Sequence, residues 1–469
     1  MTSKHTDHAF IGIDIGGTFT DAVIYKDGIV KVFKTLTTKD NPALGVIEAV
    51  ENLSKGSFIL THGSTLATNA VLERKGARTA LITTAGINDI LYTARQDRPS
   101  LFQLEPKGRT PLVERQFCYG APERIDSKGT VLKPLNMDTV RDYILDASKN
   151  GINSLAVSLL FSFKNDEHEK QIFDSASKLI DFVTISSEVI PEYREYERTS
   201  TTVLNAYISP ILKNYISNLD KRLKEMGASD FRIMESGGGI IPASEAGRLG
   251  VRTILSGPAG GVAGAFRIAE KSGCDRIITL DMGGTSTDVS LCDGSIGETR
   301  EGEIDGFPIR VPMVDIVTIG AGGGSIAYAD QAGSLKVGPR SAGSEPGPAA
   351  FGSGDEPTVT DALIVLGYLT PDDFHEKGVK INKQKAADAM KTVAEKLDIS
   401  VEETAAGVIR IALSHMEKAL RIVSLERGHD PSQFTLVPFG GAGPVHSPFL
   451  ADALGIKKIL IPEHPGVLS

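Results

Sequence analysis

The chain has 469 residues, a formal net charge of -9, 41% hydrophobic residues and 23% charged residues. This length predicts two to four domains, and the negative charge argues against a dedicated nucleic-acid surface. The three cysteines, Cys118, Cys274 and Cys292, are far apart, which favours reduced thiols over a disulfide framework. The polar N-terminus and the lack of a long apolar stretch predict a cytoplasmic protein without a membrane segment.

The first 195 residues alternate between strand and helix patterns. Residues 10–35 predict three short strands, with a hairpin turn at Asp27-Gly28. Asn41 is placed to cap a helix that starts at Pro42. The further elements are predicted as strands at 58–61, 79–83 and 154–161, helices at 64–75 and 166–180, and a loop-rich excursion with short strands at 97–134. Such alternation is typical of the α/β class.

A long amphipathic helix is predicted at residues 199–226, as a linker between two halves. Pro210 lies inside it and predicts a kink or a break. The elements expected after it are a strand at 232–234, a turn at 256–261, a helix at 262–271, an ordered functional loop or lid at 338–357, helices at 383–397 and 401–425, a strand at 435–438, and a loop at 440–444 that opens a helix at Val445.

One eight-residue pattern, Asp-x-Gly-Gly-Thr-x-Thr-Asp, occurs at residues 14–21 and again at residues 281–288. Each copy lies between two apolar, β-branched runs, which indicates a strand, a tight turn and a second strand. A single copy is about as consistent with an ordinary glycine hairpin as with a binding turn. Two matched copies predict two pseudo-two-fold related halves around a cleft, which hold a nucleotide from both sides.

The residue types in this pattern suit a phosphate and its metal ion. Glycines let backbone N–H groups approach a phosphate closely, and Thr18 and Thr285 can add hydroxyl donors. The ionised carboxylates of Asp14 and Asp281 only accept hydrogen bonds. They are therefore expected to hold Mg²⁺ or to orient an attacking group. A strand follows each turn and the Walker lysine is absent, so neither a P-loop nor a dinucleotide fingerprint is predicted.

Two further glycine loops and two histidines are weaker candidates. The loops at 320–325 and 440–444 could equally be ordinary turns, although Pro444 fits a first helical position whose free N–H groups could face a nucleotide. His446 is more often a packed histidine than a ligand. His62 lies where a strand becomes a helix, which favours function more, with a hydrogen-bonded core histidine as the alternative.

The two Asp-x-Gly-Gly-Thr turns resemble the phosphate loops of the actin, sugar kinase and Hsp70 ATPase superfamily. More narrowly, the chain resembles the hydantoinase A/5-oxoprolinase family, which includes subunits of ATP-dependent hydantoinases, caprolactamase and acetone carboxylase. The matching segments span nearly the whole chain: IGIDIGGTFTDAV (11–23), THGSTLATNAVLERKGARTALITTAG (61–86), SGGG (236–239), LSGPAGGVAGA (255–265), LDMGGTSTDVS (280–290), IGAGGGSIA (319–327), VGPRSAGSEPGPAAFG (337–352), TVTDALIVLG (358–367) and LERGHDPSQFTLVPFGGAGPVH (425–446).

The resemblance implies an α/β fold of two actin-like (ribonuclease H-like) ATPase domains, at residues 9–195 and 196–469. It also implies a C-terminal region, typical of the family, that this sequence does not contain. The implied activity is an ATP-dependent hydrolase subunit that phosphorylates and opens a cyclic amide, such as a hydantoin, 5-oxoproline or a lactam, with a hydantoinase B-type partner in a hetero-oligomer. The alternatives are a ketone carboxylase subunit of the acetone carboxylase type and a non-enzymatic nucleotide-switch module.

The resemblance also implies roles for particular residues. Asp14 and Asp281 would serve Mg²⁺ and the transfer of phosphate from ATP. The residues expected to hold phosphates are Gly16, Gly17, Thr18, Gly283, Gly284 and Thr285. The residues expected at the nucleoside end are Gly322, Gly323, Gly441 and Gly443. The residues expected on the substrate side are His62, as a catalytic group, with Ser64, Thr65 and Asn69.

Overall fold

A computed structural model describes residues 8–16, 19–38, 41–54, 56–97, 102, 110–370 and 381–468. Its strands are β1 (Ala9–Ile15), β2 (Phe19–Lys26), β3 (Ile29–Leu36), β4 (Phe58–Ser64), β5 (Thr79–Thr84), β6 (Cys118–Ala121), β7 (Arg124–Ile125), β8 (Val131–Lys133), β9 (Ser154–Ser158), β10 (Phe182–Ile185), β11 (Ala228–Met234), β12 (Ile240–Pro242), β13 (Arg276–Met282), β14 (Thr287–Asp293), β15 (Glu298–Thr299), β16 (Gly302–Ile304), β17 (Phe307–Ile309), β18 (Met313–Val314), β19 (Val317–Ile319), β20 (Ser325–Ala329), β21 (Leu335–Ser341), β22 (Thr435–Phe439) and β23 (Lys458–Ile459).

The helices lie between these strands, as the α/β class requires. They are α1 (Ala43–Leu53), α2 (Leu66–Leu72), α3 (Ile90–Thr93), α4 (Met137–Lys149), α5 (Glu167–Ala176), α6 (Ser186–Val189), α7 (Glu195–Glu225), α8 (Ala243–Arg248), α9 (Ser256–Lys271), α10 (Val359–Val365), α11 (Lys383–Leu397), α12 (Val401–Val423) and α13 (Gly443–Leu454).

Two sheets repeat one strand order. The six-stranded sheet has the order β12-β11-β4-β1-β2-β3, and the five-stranded sheet has the order β19-β14-β13-β22-β23. In each sheet, the strand that enters a motif copy, β1 or β13, lies between the second strand of its hairpin and the next strand of the alternating part. The third strand, β3 or β19, forms the edge. The predicted α/β class and the duplication are confirmed.

The turn between β2 and β3 follows from its two residues. Asp27 has φ 53° and Gly28 has φ 82°, which is the left-handed pair that two-residue hairpins need and that Asp-Gly readily adopts. The turn aligns all eight residue pairs of the two strands, from Lys26 opposite Ile29 to Phe19 opposite Leu36. The predicted hairpin is therefore confirmed at the level of individual residue pairs.

The chain divides into two compact units. Unit 1 comprises residues 1–11, 54–256 and 299–313. Its four-stranded sheet has the order β10-β9-β5-β6, with parallel pairs throughout. Strands β5 and β9 are buried along their whole length, as expected for parallel strands covered on both faces.

Unit 2 comprises residues 12–53, 257–298 and 314–469. Its main apolar core gathers side chains of β13, α10, α12 and β22. Two of its helices begin with a reciprocal capping box, α10 at Thr358 with Asp361 and α12 at Ser400 with Glu403. Each box satisfies two backbone N–H groups that a helix start would otherwise leave unpaired. The helices predicted at 383–397 and 401–425 match α11 and α12 closely.

Helix α7 differs from the expectation at Pro210. The helix runs for 31 residues without a break, and every residue from 197 to 209 is buried. Burial on all sides stabilises the helix against the lost N–H of proline. The whole of α7 lies in unit 1, whereas the domain boundary at residue 196 stays a prediction.

The turn expected at residues 256–261 is wrong, because these residues form the first turns of α9. Pro258 is tolerated there, since the first helical N–H groups have no partner within the helix. In the segment 338–357, the residues up to Ser341 belong to β21, and the rest is an ordered loop with a short 3-10 helix at Ala349–Phe351. The Asp361 carboxylate accepts from the N–H groups of Ala349 (3.2 Å) and Ala350 (2.8 Å). Ala342 N–H also donates to Gly324 O at 2.9 Å.

Candidate functional site

The first motif copy places Asp14 near the end of β1. Its Oδ1 atom is buried without a hydrogen-bond partner. Gly257 lies close to this oxygen: a Cβ atom built on Gly257 would be 3.6 Å from Asp14 Oδ1. Gly16 follows, and its carbonyl accepts from Thr37 Oγ1 at 2.9 Å. Gly17 and Thr18 lie outside the described residues.

The second copy is described in full. Asp281 lies in β13, directly opposite Asp288 of β14. The turn that follows is closed by Gly283 N–H donating to Ser286 O at 3.1 Å. Gly283, Gly284 and Thr285 are exposed. The turn therefore presents a backbone and a hydroxyl to solvent, as the phosphate-binding prediction requires.

In each copy, the last aspartate lies opposite a residue of the neighbouring edge strand. In the second copy, Thr318 of β19 lies opposite Asp288 and donates to its Oδ1 at 2.5 Å. In the first copy, Lys34 of β3 lies opposite Asp21 and forms an ion pair with its Oδ1. We call Asp14, Asp21 and Lys34 the first row, and Asp281, Asp288 and Thr318 the second row.

The carboxyl groups of the two rows affect one another. Burial raises the pKa of Asp281 to about 7, and the charges of Asp288 and Asp14 raise it as well. Burial and the Asp21 charge raise the pKa of Asp14 to about 6, whereas the Lys34 ammonium lowers it. The Asp14 and Asp281 carboxyl groups, which the motif places at equivalent positions, are thus close enough to repel each other.

The glycine cluster at 320–325 packs against the second turn. Gly323 N–H donates to Gly283 O at 3.0 Å, and Gly324 N–H donates to Gly284 O at 2.7 Å. A Cβ on Gly322 would lie 2.7 Å from the Gly284 carbonyl carbon, so only glycine allows this approach. Gly322 and Gly323 thus lie against the turn of the second motif copy. Their role at the nucleoside end stays a prediction.

The loop at 440–444 also meets this turn. Ala442 N–H donates to Met282 O at 3.1 Å. Gly440 has φ +77°, and a Cβ there would lie 2.3 Å from Asp281 Oδ1, so the position excludes any other residue. Helix α13 starts at Gly443 rather than at Val445, with proline in its first two positions. Gly441 and Gly443 therefore lie at a helix start beside Asp281, where their nucleoside role stays a prediction.

His446 lies in the first turns of α13 and is fully buried. Neither ring nitrogen has a hydrogen-bond partner, and burial lowers the pKa of His446 to about 4. The imidazole is therefore neutral at physiological pH. This packed position agrees with the reading of His446 as a core residue.

The predicted substrate-side residues lie together in unit 1, on β4 and at the start of α2. His62 is fully buried; one ring nitrogen hydrogen-bonds the Tyr215 hydroxyl at 2.9 Å, and the ring stacks on Phe231. Ser64 is buried, and its Oγ accepts from Leu66 N–H at 3.2 Å.

Thr65 is the N-cap residue of α2. Its Oγ1 accepts from Asn69 Nδ2 at 3.3 Å, and the Asn69 side chain is exposed. The catalytic role of His62 and the substrate roles of Ser64, Thr65 and Asn69 stay predictions.

The residues of the two rows fit a magnesium ion bound with a polyphosphate. Mg²⁺ is usually held by one or two carboxylates, its waters and substrate phosphates, not by a full protein cage. The unpartnered Asp14 Oδ1 and the mutual repulsion of Asp14 and Asp281 are the features that a cation would relieve. Among the described residues, no group of three or more His, Cys, Asp or Glu side chains could hold a metal.

Sequence reasoning missed Lys34 and Thr318. Lys34 could have been found, because the Asp27-Gly28 turn fixes the register of β2 and β3 and hence the residue opposite Asp21. Thr318 gave no such signal, since β14 and β19 are joined by a long segment that contains other short strands.

The duplicated strand order and the acidic glycine turn at the same place in each copy define an actin-like, ATPase-type α/β fold. The chain belongs to the hydantoinase/oxoprolinase family: residues 198–469 match Hydantoinase/oxoprolinase, and residues 10–180 match its N-terminal region. In the part of the chain that the structure covers, no helix has the length and apolarity to cross a membrane.

The relatives agree with this assignment. The chain is 40% identical over 487 residues to an uncharacterized protein of Methanocaldococcus jannaschii, covering 98% of this chain and 71% of that protein. It is 36% identical over 474 residues to caprolactamase subunit alpha of Pseudomonas jessenii, covering 97% and 68%.

Two solved structures are similar over 98% of this chain and 69% of their own. The ATP-dependent caprolactamase of Pseudomonas jessenii has a TM-score of 0.86 at 36% identity. The nucleotide-free acetone carboxylase, described in connection with ATP-dependent acetone carboxylation, has a TM-score of 0.82 at 33% identity.

Proposed function

We propose that this chain is the nucleotide-using subunit of an ATP-dependent cyclic amide hydrolase. It would transfer a phosphoryl group from ATP to the amide oxygen of a hydantoin, 5-oxoproline or a lactam. The names of relatives support this substrate class, because they include caprolactamase subunit alpha and 5-oxoprolinases. The subunit names also support a hetero-oligomer, in which a hydantoinase B-type partner completes the enzyme.

One observation carries the proposal: Asp14 and Asp281 occupy equivalent positions in the two copies of one motif, burial raises the pKa of both carboxyl groups, and the charge of Asp14 further raises the pKa of Asp281. A site with one carboxylate from each copy suits a polyphosphate and its magnesium. In such a site, Mg²⁺ would neutralise charge on the phosphates and on the leaving ADP. Asp14 and Asp281 would hold it, directly or through its waters.

The other residues would bind and orient. Because the Gly283 N–H closes the turn, the backbone N–H groups of Gly284 and Thr285 would donate to phosphate oxygens, and Thr285 would add its hydroxyl. Gly16, with Gly17 and Thr18 of the first copy, would do the same from the other motif. Each hydrogen bond to a charged oxygen contributes roughly 1.5–3 kcal/mol. Catalysis of phosphoryl transfer then rests on positioning and electrostatics, with little covalent work by the protein.

The chemistry that follows is ring opening. The terminal P–O bond of ATP breaks as a new P–O bond forms to the amide oxygen, and ADP leaves. The phosphorylated oxygen withdraws electrons from the ring carbon, so water can attack that carbon. The C–N bond then breaks as the ring nitrogen takes up a proton, and a second water hydrolyses the resulting acyl phosphate to the carboxylate and inorganic phosphate. His62, Ser64, Thr65 and Asn69 are proposed on the substrate side, with the partner subunit aiding the hydrolytic step.

A second candidate is a ketone carboxylase subunit, which would use the same phosphorylation to activate a ketone. The similarity to the acetone carboxylase structure, at a TM-score of 0.82, favours it. The acetone carboxylase beta subunit of Xanthobacter autotrophicus, at 35% identity, favours it as well.

One assay separates the candidates. The chain and its partner subunit are incubated with Mg-ATP and either cyclic amides (caprolactam, 5-oxoproline, hydantoin) or ketones (acetone, acetophenone) with bicarbonate. ADP and the carbon product are quantified. We expect ADP formation coupled to ring-opened product. Carboxylated ketone as the main product would replace the first proposal by the second, and ATP turnover that no substrate stimulates would favour a nucleotide switch.

A further inference from the structure

The two rows differ at their third position, and this difference has a chemical consequence. The first row ends in Lys34 and the second row ends in Thr318, although both residues lie opposite the last aspartate of their motif copy. The same position in the backbone thus holds a cationic side chain in the first copy and a neutral hydroxyl in the second. Four of the six row residues are aspartates, so a polyphosphate at these turns would meet strong repulsion.

We propose that Lys34 binds a phosphoryl oxygen of the nucleotide, a role that rests on the proposed function. Its side chain is 25% exposed while its ammonium pairs with Asp21, so the side chain is held on the motif copy and is still partly accessible to solvent. It lies two residue pairs from the open end of the β2–β3 hairpin, where Phe19, the first residue after the motif turn, is opposite Leu36. A lysine side chain is long and flexible enough to reach an anion at that turn.

The ion pair supports this placement. It holds the Lys34 ammonium at Asp21, the last residue of the first motif copy, so a cation is fixed on the motif itself. An ammonium is a compact cation with several donors, and it suits the spread charge of a polyphosphate. On nucleotide binding, Nζ would share its donors between Asp21 and a phosphate oxygen.

The test is the affinity for ATP, ADP, AMP and adenosine, measured by isothermal titration calorimetry on the full chain. The variants are Lys34→Met, Lys34→Arg and Lys34→Thr, the last of which copies the second row. Lys31→Met is the matched control, because Lys31 lies on the same strand, is exposed and sits on the opposite face, across from Ile24.

We expect Lys34→Met and Lys34→Thr to weaken ATP binding about 10- to 100-fold, which is the range for one charge-assisted hydrogen bond. Lys34→Arg should keep most of the affinity. Adenosine binding should stay the same in every variant, and Lys31→Met should match the wild type. Circular dichroism and thermal melting show whether each variant is folded, and Lys34→Thr stands in if the methionine variant is not.

The double variant Asp21→Asn/Lys34→Met decides between binding and simple neutralisation. If Lys34 only neutralises Asp21, removing both charges restores ATP affinity, and the inference is overturned. An equal loss for ATP and adenosine would also overturn it. If the wild-type protein binds no nucleotide, the proposed function itself is contradicted. If Lys34→Met binds ATP normally, only the role of Lys34 is contradicted.

Discussion

The first and second rows share a backbone and differ in charge. Both run from the end of a first strand, across a hairpin, to an edge strand. In the first row, Lys34 offsets the burial of Asp14, whose pKa is raised to about 6. The second row has a hydroxyl instead, and the pKa of Asp281 is raised to about 7. Duplicated geometry therefore does not mean duplicated chemistry.

The two rows also differ in the contacts that hold the turn of each motif copy in place. The second row is braced by two glycine loops, through Gly323 and Gly324 to the turn and through Ala442 to Met282. In the described part of the first copy, the turn backbone is held by the Thr37 hydroxyl, which donates to Gly16 O. The second row is thus fixed by backbone contacts that tolerate no added side chain, and its carboxyl group is the more strongly perturbed of the two.

The largest expected effect is a loss of ATP-dependent turnover when a row aspartate is replaced, but not when an aspartate at the far end of a hairpin is replaced. Asp14→Asn and Asp281→Asn should each lower ATP-dependent turnover by about 100-fold or more, because each removes a charge that supports the metal. The matched controls, Asp27→Asn and Asp293→Asn, make the same change at the far ends of β2 and β14 and should retain turnover. ADP release under saturating substrate measures both. Near-wild-type rates in Asp281→Asn would remove the second row from the mechanism.

The next effect tests the bracing of the second row. Gly440→Ala places a Cβ 2.3 Å from Asp281 Oδ1 at φ +77°, so we expect a loss of about 3 kcal/mol in the free energy of unfolding. Gly441→Ala is the control for stability, since its Cβ would meet nothing within 4 Å. Urea denaturation of both variants gives the comparison. Equal stability of the two variants would show that the loop does not press on Asp281.

The third effect tests the electrostatic difference between the rows. A carboxyl whose pKa is raised on folding stabilises the folded state below its unfolded pKa, near 4, and that stability is lost as pH rises through the folded pKa. Asp281→Asn should therefore raise the free energy of unfolding by about 2–3 kcal/mol at pH 8, with little effect near pH 4. Asp14→Asn should raise it less.

Urea denaturation at pH 4, 6 and 8, without nucleotide or metal, measures this difference. Lys34→Thr should bring the two rows closer, because Asp14 then lacks the opposing cation. A larger gain for Asp14→Asn than for Asp281→Asn would reverse the assignment of which row carries the more perturbed carboxyl.

The smallest expected effect is on the pH dependence of stability, and it concerns His446 in α13, compared with His62 in β4. His446 has no hydrogen-bond partner and a pKa lowered to about 4, whereas His62 bonds Tyr215. A histidine with a lowered folded pKa costs stability as pH falls below its unfolded value of about 6.5. His446→Leu should therefore remove about 1–2 kcal/mol of the stability loss between pH 7 and pH 5. An unchanged pH dependence in this variant would contradict the burial argument.

Much of the fold could be read from local patterns. The Asp27-Gly28 turn, the paired strands around each motif, and helices α11 and α12 follow from residue preferences and apolar periodicity within short windows. The repeat predicted the same strand, turn and strand at each copy, because equal sequences favour equal local geometry. The candidate aspartates were found for the same reason.

Other features could not be read in this way, because tertiary packing outweighs local preference. Pro210 predicts a kink or a break, yet burial of residues 197–209 keeps α7 continuous. The glycines at 256–261 indicate a turn, yet they form the start of α9. Local glycine and proline signals describe what the backbone tolerates, and the surrounding core decides which tolerated conformation forms.

By itself, the sequence determined that one acidic glycine turn is used twice, in an α/β chain whose strands flank each copy. Only the tertiary structure decided that the second copy ends on Thr318, and that Gly440 lies against the Asp281 carboxyl group. The physical reason is range. Turn and strand preferences act over a few residues, whereas ionisation depends on burial and on charges that residues distant in the chain bring together.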